Sequence, residues 1–245
     1  MAVAGRRRSR ATWDDAGAYD RFMGRFSAVL APQLADFADI GPGQYVLDVG
    51  SGPGALTAEL VLRLGPELVS AVDLSESFVA AVRERYPGVT ALAAPGEQLP
   101  FTDAAFDATL AQLALRHMDE PETAFLEMVR VTRSGGVVVV CDWWEASGSS
   151  APHGPFWEAA KELSWDRMHR SLLDVEEVAL EASVRYSSFE EWWAVTAEGV
   201  GTSAGYAKSL DPDSRERLRE LCRARLPEGP FTIEARARAA RGVVQ

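Results

Sequence analysis

Lysine is nearly missing from this chain: of 25 basic residues, only Lys161 and Lys208 are not arginine. Acidic residues number 36, and the net charge of -11 argues against a nucleic-acid partner, because phosphate contacts need clustered cations. Cysteine is scarce too. Cys141 and Cys222 stand far apart with no C-x-x-C pattern, so no disulfide framework is expected. The three histidines, His117, His153 and His169, lack metal-ligand spacing, and no metal site is predicted. No stretch of ~18 uninterrupted apolar residues occurs, which removes a transmembrane helix and a membrane partner. The basic run Arg6-Arg7-Arg8-Ser9-Arg10 has no apolar segment behind it. It reads as a solvated tail rather than a secretory leader, and a cytoplasmic location is expected.

What is present is an alternation of short apolar runs and helical patterns. Tyr45 to Val49, Leu68 to Val72, Val89 to Ala93, Phe106 to Gln112 and Val137 to Cys141 read as buried strands. Between them Leu56, Leu60, Val61 and Leu64 fall at helical spacing before Gly65-Pro66. Ser75 is a candidate cap for a helix through Phe78, Val79 and Val82. Pro121 suits a first helical turn, with Phe125, Met128, Val129 and Thr132 following. Strands alternating with helices predict a parallel sheet covered on both faces.

Beyond residue 143 the pattern changes. Val178 to Tyr186 and Phe231 to Ala239 alternate apolar and polar with period two, as strands near the antiparallel end of a sheet do. Asp211 and Pro212 start a helix whose stripe is Leu218, Leu221, Cys222 and Leu226. The organisation expected is one domain: an N-terminal helical lid over residues 1–40, a core over 41–142, an insertion over 143–210 and a last helix and strand over 211–245.

The most informative stretch is Val46-Leu47-Asp48-Val49-Gly50-Ser51-Gly52-Pro53-Gly54-Ala55. Glycines at 50, 52 and 54 let a ligand lie against bare backbone near a helix N-terminus. Asp73, at the end of the second strand, can accept hydrogen bonds from both hydroxyls of a ribose. The glycines also satisfy G-x-G-x-x-A, so an NAD-dependent oxidoreductase is the competing reading. Asp48 separates the two. A carboxylate two residues before the first glycine works against a pyrophosphate but favours the ammonium and sulfonium of S-adenosylmethionine. Its other reading is a tie to the loop backbone. No Tyr-x-x-x-Lys pair supports the oxidoreductase.

These residues resemble the class I S-adenosylmethionine-dependent methyltransferases. Val46 to Thr57 is similar to their first motif, and Ala71-Val72-Asp73-Leu74-Ser75 to the second. Glu97-Gln98-Leu99-Pro100-Phe101 with Phe106-Asp107 resembles the approach to their fourth strand. Glu127 to Gly136 resembles the helix and turn before the fifth. Tyr19-Asp20-Arg21-Phe22-Met23-Gly24-Arg25-Phe26-Ser27 resembles the N-terminal signature of one bacterial branch. The resemblance implies a Rossmann-like α/β fold with a seven-stranded, mostly parallel sheet, an antiparallel last strand and helices on both faces. It implies a cytoplasmic enzyme that methylates O, N or C of a small-molecule acceptor, as monomer or homodimer. The cofactor contacts it implies are Tyr19, Arg25, Asp48, Gly50, Ser51, Gly52, Asp73, Leu74, Gly96, Glu97, Ala111 and Gln112.

Three departures stand out. Pro95 takes the place of an aspartate that contacts adenine in many members, leaving adenine to the backbone at Gly96 and Glu97 and to Leu74. Ser134 replaces a usual proline. His169-Arg170-Ser171-Leu172-Leu173 runs almost directly into the sixth strand where a helix is usual, predicting a partner subunit or a reduced substrate cap there. A third functional class, a non-methylating binding protein on this fold, stays open because of Pro95.

Methyl transfer from a sulfonium needs mainly alignment, with a base only where the acceptor must lose a proton. His117, just past the fourth strand, is the candidate base; its other reading is to satisfy a loop backbone group. Trp143, Trp144, Trp157, Trp165, Trp192 and Trp193 crowd the insertion and its return. Four of them read as core, and Trp143 and Trp144 as a candidate aromatic wall for the acceptor.

Overall fold

The structure is a computed structural model that describes residues 15–143 and 172–245. Two compact units are present. Among the described residues, one comprises residues 15–26 with Ser183–Ile233, the other residues 27–143 and 172–182 with Glu234–Gln245.

In the second unit the strands are β1 (Val46–Val49), β2 (Val69–Asp73), β3 (Thr90–Ala93), β4 (Phe106–Gln112) and β5 (Thr132–Trp143), and the sheet is completed by β6 (Leu172–Tyr186) and β7 (Phe231–Val244). The sheet formed by the described residues has the order β3-β2-β1-β4-β5-β7-β6. Strands β1 to β5 pair parallel, and β7 runs antiparallel to β5, with Val137 opposite Val243 and Trp143 opposite Ala237. The expected Rossmann-like α/β fold is therefore the observed one.

Helices α3 (Ala55–Leu64), α4 (Glu76–Arg85) and α5 (Pro121–Val131) connect these strands, and α1 (Ala16–Tyr19) and α2 (Arg25–Phe37) precede them. Side chains of a strand alternate between faces. Leu47 and Val49 thus join Phe125, Met128 and Val131 of α5 in one buried cluster, whereas Asp48 turns to α3. Burial of a Leu, Val or Phe of this kind stabilises by roughly 1.5–3 kcal/mol each.

Several boundaries differ from the sequence reading. Thr132, expected in the helix, opens β5; its hydroxyl donates to Met128 O at 2.7 Å as the chain leaves α5. Gly135, at φ 73, does not end the strand, because the ladder between β4 and β5 shifts register between Phe106 and Ala108. β6 begins at Leu172 rather than Val178, and β7 continues to Val244.

In the first unit α6 (Phe189–Ala197), α7 (Thr202–Ser209) and α8 (Pro212–Arg223) follow β6. Asp211 caps α8 by accepting from Ser214 N, as expected, and Ser188 caps α6 through Glu191 N. Phe189, Trp193, Ala197 and Ala207 form the unit's core, with Trp192, Leu218, Cys222 and Leu226 against it. Of the four tryptophans expected as core, Trp193 is buried in it and Trp192 packs against it, partly buried. Trp144, Trp157, Trp165 and the stretch 169–171 lie outside the described residues.

Candidate functional site

Because β1 to β5 run in one direction, their C-terminal ends meet at one edge of the sheet. Strand order reverses between β1 and β4, with β2 and β3 on one side and β5 on the other, and ligands of open α/β sheets bind at such a switch point. The glycine loop leaves β1 there.

Two hydrogen bonds fold this loop back on β2: Gly50 N and Ser51 N both donate to Val72 O, at 2.7 and 3.0 Å. Gly50, Gly52 and Gly54 take φ of 71°, 55° and 101°, a region side chains disfavour. A Cβ on Gly50 would meet Ala114 Cβ at 2.4 Å, so the turn after β4 needs a bare backbone at this point. Ser51 is buried, and its hydroxyl donates to Gly52 O at 3.2 Å.

Asp73 ends β2 beside this loop. Its Oδ2 accepts from Gly52 N and its Oδ1 from Ser75 N, both at 2.8 Å. Burial pushes its carboxyl above the ordinary carboxylate value, against the pull of those N–H groups. Asp48 is 1% exposed, and its Oδ2 accepts from Thr57 Oγ1 at 2.6 Å. Thr57 sits in the first turn of α3, whose N-cap Gly54 has no side chain to supply that oxygen. Burial, with some help from Asp73, pushes Asp48 up to about 7 despite the threonine hydrogen bond. The alternative of a tie to the loop thus takes a specific form: Asp48 ties down the helix that follows the loop. Thr57 was not singled out from the sequence; the signal was a hydroxyl in the turn after a glycine run.

Gln112 ends β4 and is buried. Its Nε2 donates to Ser27 O at 3.0 Å, and its Oε1 is buried with no hydrogen-bond partner among the described residues. An orphan acceptor of this kind costs about 1–3 kcal/mol until a donor arrives. Ala111 is fully buried behind it. Leu113 follows at φ 58, and its N–H donates to Cys141 O at 2.8 Å. A leucine in this region stores about 1–2 kcal/mol of strain, of the kind that gathers at functional edges.

Leu74 is 51% exposed after β2, an apolar surface that a flat ring can cover. Gly96 approaches Met118 so closely that a Cβ would meet its Sδ at 2.6 Å. Glu97 accepts from Asp119 N at 2.9 Å and Glu120 N at 3.1 Å, so its carboxylate holds the turn that leads into α5. Gln98 N donates to Pro95 O at 3.1 Å, a turn that proline permits.

Residues 47–140 match a family described as "Methyltransferase domain". Over this stretch the chain is similar to methyltransferase domains. A demethylmenaquinone methyltransferase of Renibacterium salmoninarum is 37% identical over 50% of this chain and 49% of its own length. One from Beutenbergia cavernae is 36% identical over 47% of this chain and 45% of its own. The chain thus spans about half the length of these curated relatives. Among solved structures, a Haemonchus contortus phosphoethanolamine N-methyltransferase 2 in complex with S-adenosyl-L-methionine has a TM-score of 0.59 at 14% identity, covering 97% of this chain and 59% of that one. The cyclase SpnF has a TM-score of 0.56 at 23% identity, covering 89% and 81%. These likenesses show the fold.

The remaining candidates lie around or outside this domain. His117 ends a 3-10 turn, Leu115–His117, on its ligand edge and is exposed; its N–H donates to Ala114 O at 2.9 Å. Trp143 is the last residue of β5, partly exposed beside Asp142, whose Oδ1 pairs with Arg116 at 3.3 Å. That pair, at the ends of β4 and β5, was not anticipated. In the first unit Tyr19 closes α1, and Asp20–Gly24 after it form a π-helical turn, a form frequent at functional sites. Arg25 pairs with Glu191 at 2.7 Å and lies 4.5 Å from the centre of the Tyr186 ring. Among the described residues no cluster of His, Cys, Asp and Glu could hold a metal, and no helix is long and apolar enough to cross a membrane.

Proposed function

We propose that this chain binds S-adenosylmethionine at the glycine loop and transfers its methyl group to a small-molecule acceptor. The observation that carries this is the loop itself: three left-handed glycines between a buried Asp48 with no cation partner among the described residues and an Asp73 poised at the end of β2. A dinucleotide would bring a pyrophosphate against the Asp48 carboxylate. A sulfonium ligand fits that carboxylate, and it also fits the orphan Gln112 oxygen, which wants a donor.

Asp73 would hold the ribose hydroxyls, Leu74 and the Gly96–Glu97 backbone the adenine, and Asp48, Gly50, Ser51, Gly52, Ala111 and Gln112 the amino-acid end. The cofactor supplies an activated methyl group on a cationic sulfur. What the chain adds is alignment, which can lower a barrier by up to roughly 7–11 kcal/mol in favourable cases. His117 can take a proton from an acceptor that must lose one, and Trp143 and Trp144 can wall the acceptor. Tyr19 and Arg25 are the further candidates for contact with the methionine moiety. The chain acts as one methyltransferase domain, monomeric or homodimeric. The acceptor class is supported by the relatives, which are named for methylating demethylmenaquinone.

Calorimetric titration with S-adenosylmethionine, S-adenosylhomocysteine and NAD tests the cofactor. Both sulfur ligands should bind and NAD should not; the reverse pattern would overturn the reading. Labelled methyl groups appearing in products from a metabolite extract then separate a methyltransferase from a non-methylating protein on the same fold.

A further inference from the structure

We propose that Arg85, the last residue of α4, is a positioning residue for the cofactor: by holding the Pro53 carbonyl on the α4 side, it keeps the second half of the glycine loop in the shape that receives the ligand. This deepens the reading above and rests on it.

The two halves of the loop are held by different parts of the chain. The first half is tied to β2: Gly50 N and Ser51 N donate to Val72 O, and Gly52 N donates to Asp73 Oδ2. The second half is Pro53 and Gly54. Pro53 is buried and has no N–H, so its carbonyl is the one backbone group through which it can be hydrogen-bonded. Gly54 N donates to Ser51 O at 3.1 Å, a bond within the loop, and as N-cap of α3 it offers no side chain. The outside hold comes from α4. Arg85 Nη1 donates to Pro53 O at 2.9 Å. Beside it, Val82 and Tyr86 close on Gly54, where a Cβ would meet Tyr86 Cε2 at 2.9 Å and Val82 Cγ2 at 3.2 Å.

Packing against Val82 and Tyr86 sets how near the loop lies to α4, but a hydrogen bond to a carbonyl also sets which way its peptide faces. Without Arg85 the peptide between Pro53 and Gly54 can turn, because the glycine that follows tolerates many backbone angles. The loop must then be ordered again whenever a ligand binds, and that ordering is subtracted from affinity. Arg83 provides an internal control. Two residues earlier on the same helix, it donates from Nε and Nη2 to Ala91 O, at 3.0 and 2.6 Å, on the edge strand β3 rather than the loop.

The test is calorimetric titration of the whole chain with S-adenosylmethionine and S-adenosylhomocysteine, alongside urea melts, for wild type, Arg85→Met and Arg83→Met. Arg85→Met should bind both ligands about three- to tenfold more weakly, the worth of one hydrogen bond. Arg83→Met should lower the urea midpoint at least as much and leave both affinities unchanged. Arg85→Lys keeps a cationic donor and should recover part of the loss. If Arg85→Met does not fold, Arg85→Lys against Arg83→Lys carries the same comparison, with weaker binding confined to position 85. Wild-type affinity in the variants at 85, or an equal loss at 83 and 85, overturns the proposal while the methyltransferase reading stands. A wild-type chain that binds neither sulfur ligand overturns both.

Discussion

The parallel sheet has carboxylates at both ends of its strands, and the two ends treat them in opposite ways. Near the C-terminal ends, Asp48 and Asp73 are both pushed above their ordinary values by burial. At the start of β4, Asp107 is held below it: the Tyr45 N–H and the Arg133 guanidinium, at 2.6 Å, outweigh burial. On α5, Arg130 at 2.6 Å, with the Leu99 N–H, likewise holds Glu127 down. At one end the carboxylates have guanidinium partners, while Asp48 and Asp73 at the other have none among the described residues. The difference teaches where free energy is stored. The paired end holds the fold, and the unpaired end gives up stability for readiness to bind.

The sharpest way to break this contrast is to fill the open end. Gly50→Ala puts a Cβ 2.4 Å from that of Ala114 and forces alanine to φ 71. Overpacking and left-handed strain together should cost about 2–5 kcal/mol, read as a lower urea midpoint, and S-adenosylmethionine binding should be lost. An unchanged midpoint would mean that the loop is not as tightly seated as its hydrogen bonds indicate.

A second experiment sets the two ends against each other through pH. Asp48 carries a raised value, so its contribution to the unliganded fold is full below its unfolded value of about 3.8 and is lost as pH rises through about 7. Glu127 carries a lowered value, so its contribution is present above about 4.5 and is lost as pH falls. Asp48→Asn should therefore gain about 2–4 kcal/mol over wild type at pH 8 and little at pH 4. Arg130→Leu should lose about 1–2 kcal/mol at pH 7, shrinking towards pH 3. Denaturant melts of the three proteins across this range check both signs. Parallel pH profiles for the two variants would remove the contrast.

How much of this was legible before folding depends on how local each feature is. The glycine loop, Asp73 at the end of β2 and the caps Ser75 and Asp211 are written in a few consecutive residues, and all four fall where the sequence placed them. Asp48 was legible as a carboxylate before the loop, but not its partner. Thr57 meets it only because α3 folds back over β1, nine residues on. The same holds for Glu127, which reaches Leu99 N across 28 residues, and for the Arg116–Asp142 pair. Strand ends were misread where glycine stood for a stop: Gly135-Gly136 reads as a turn, yet the irregular ladder beside Phe106 carries β5 through it. Gln112 was chosen for its place at a strand end. Its unpaired oxygen is a property of packing, which no spacing announces.

The smallest expected effect is the mirror image of the first. Ala104, in the loop that leads into β4, has φ 55, is exposed and donates its N–H to Arg130 O at 3.0 Å. The paired end thus tolerates a side chain in the left-handed region at Ala104, as the open end does at Leu113, whereas the loop after β1 reserves that region for glycine. Ala104→Gly relieves about 1–2 kcal/mol of backbone strain and loosens the unfolded chain by about 0.4–1 kcal/mol. The two terms oppose each other, so the net change should be between about 0 and 1.6 kcal/mol of stabilisation, with cofactor affinity untouched. A loss of stability would show that the Arg130 network fixes this turn through the alanine methyl group as well as through the backbone. The closed end would then be as sensitive to a single Cβ as the glycine loop, and the asymmetry between the two ends would rest on charge alone.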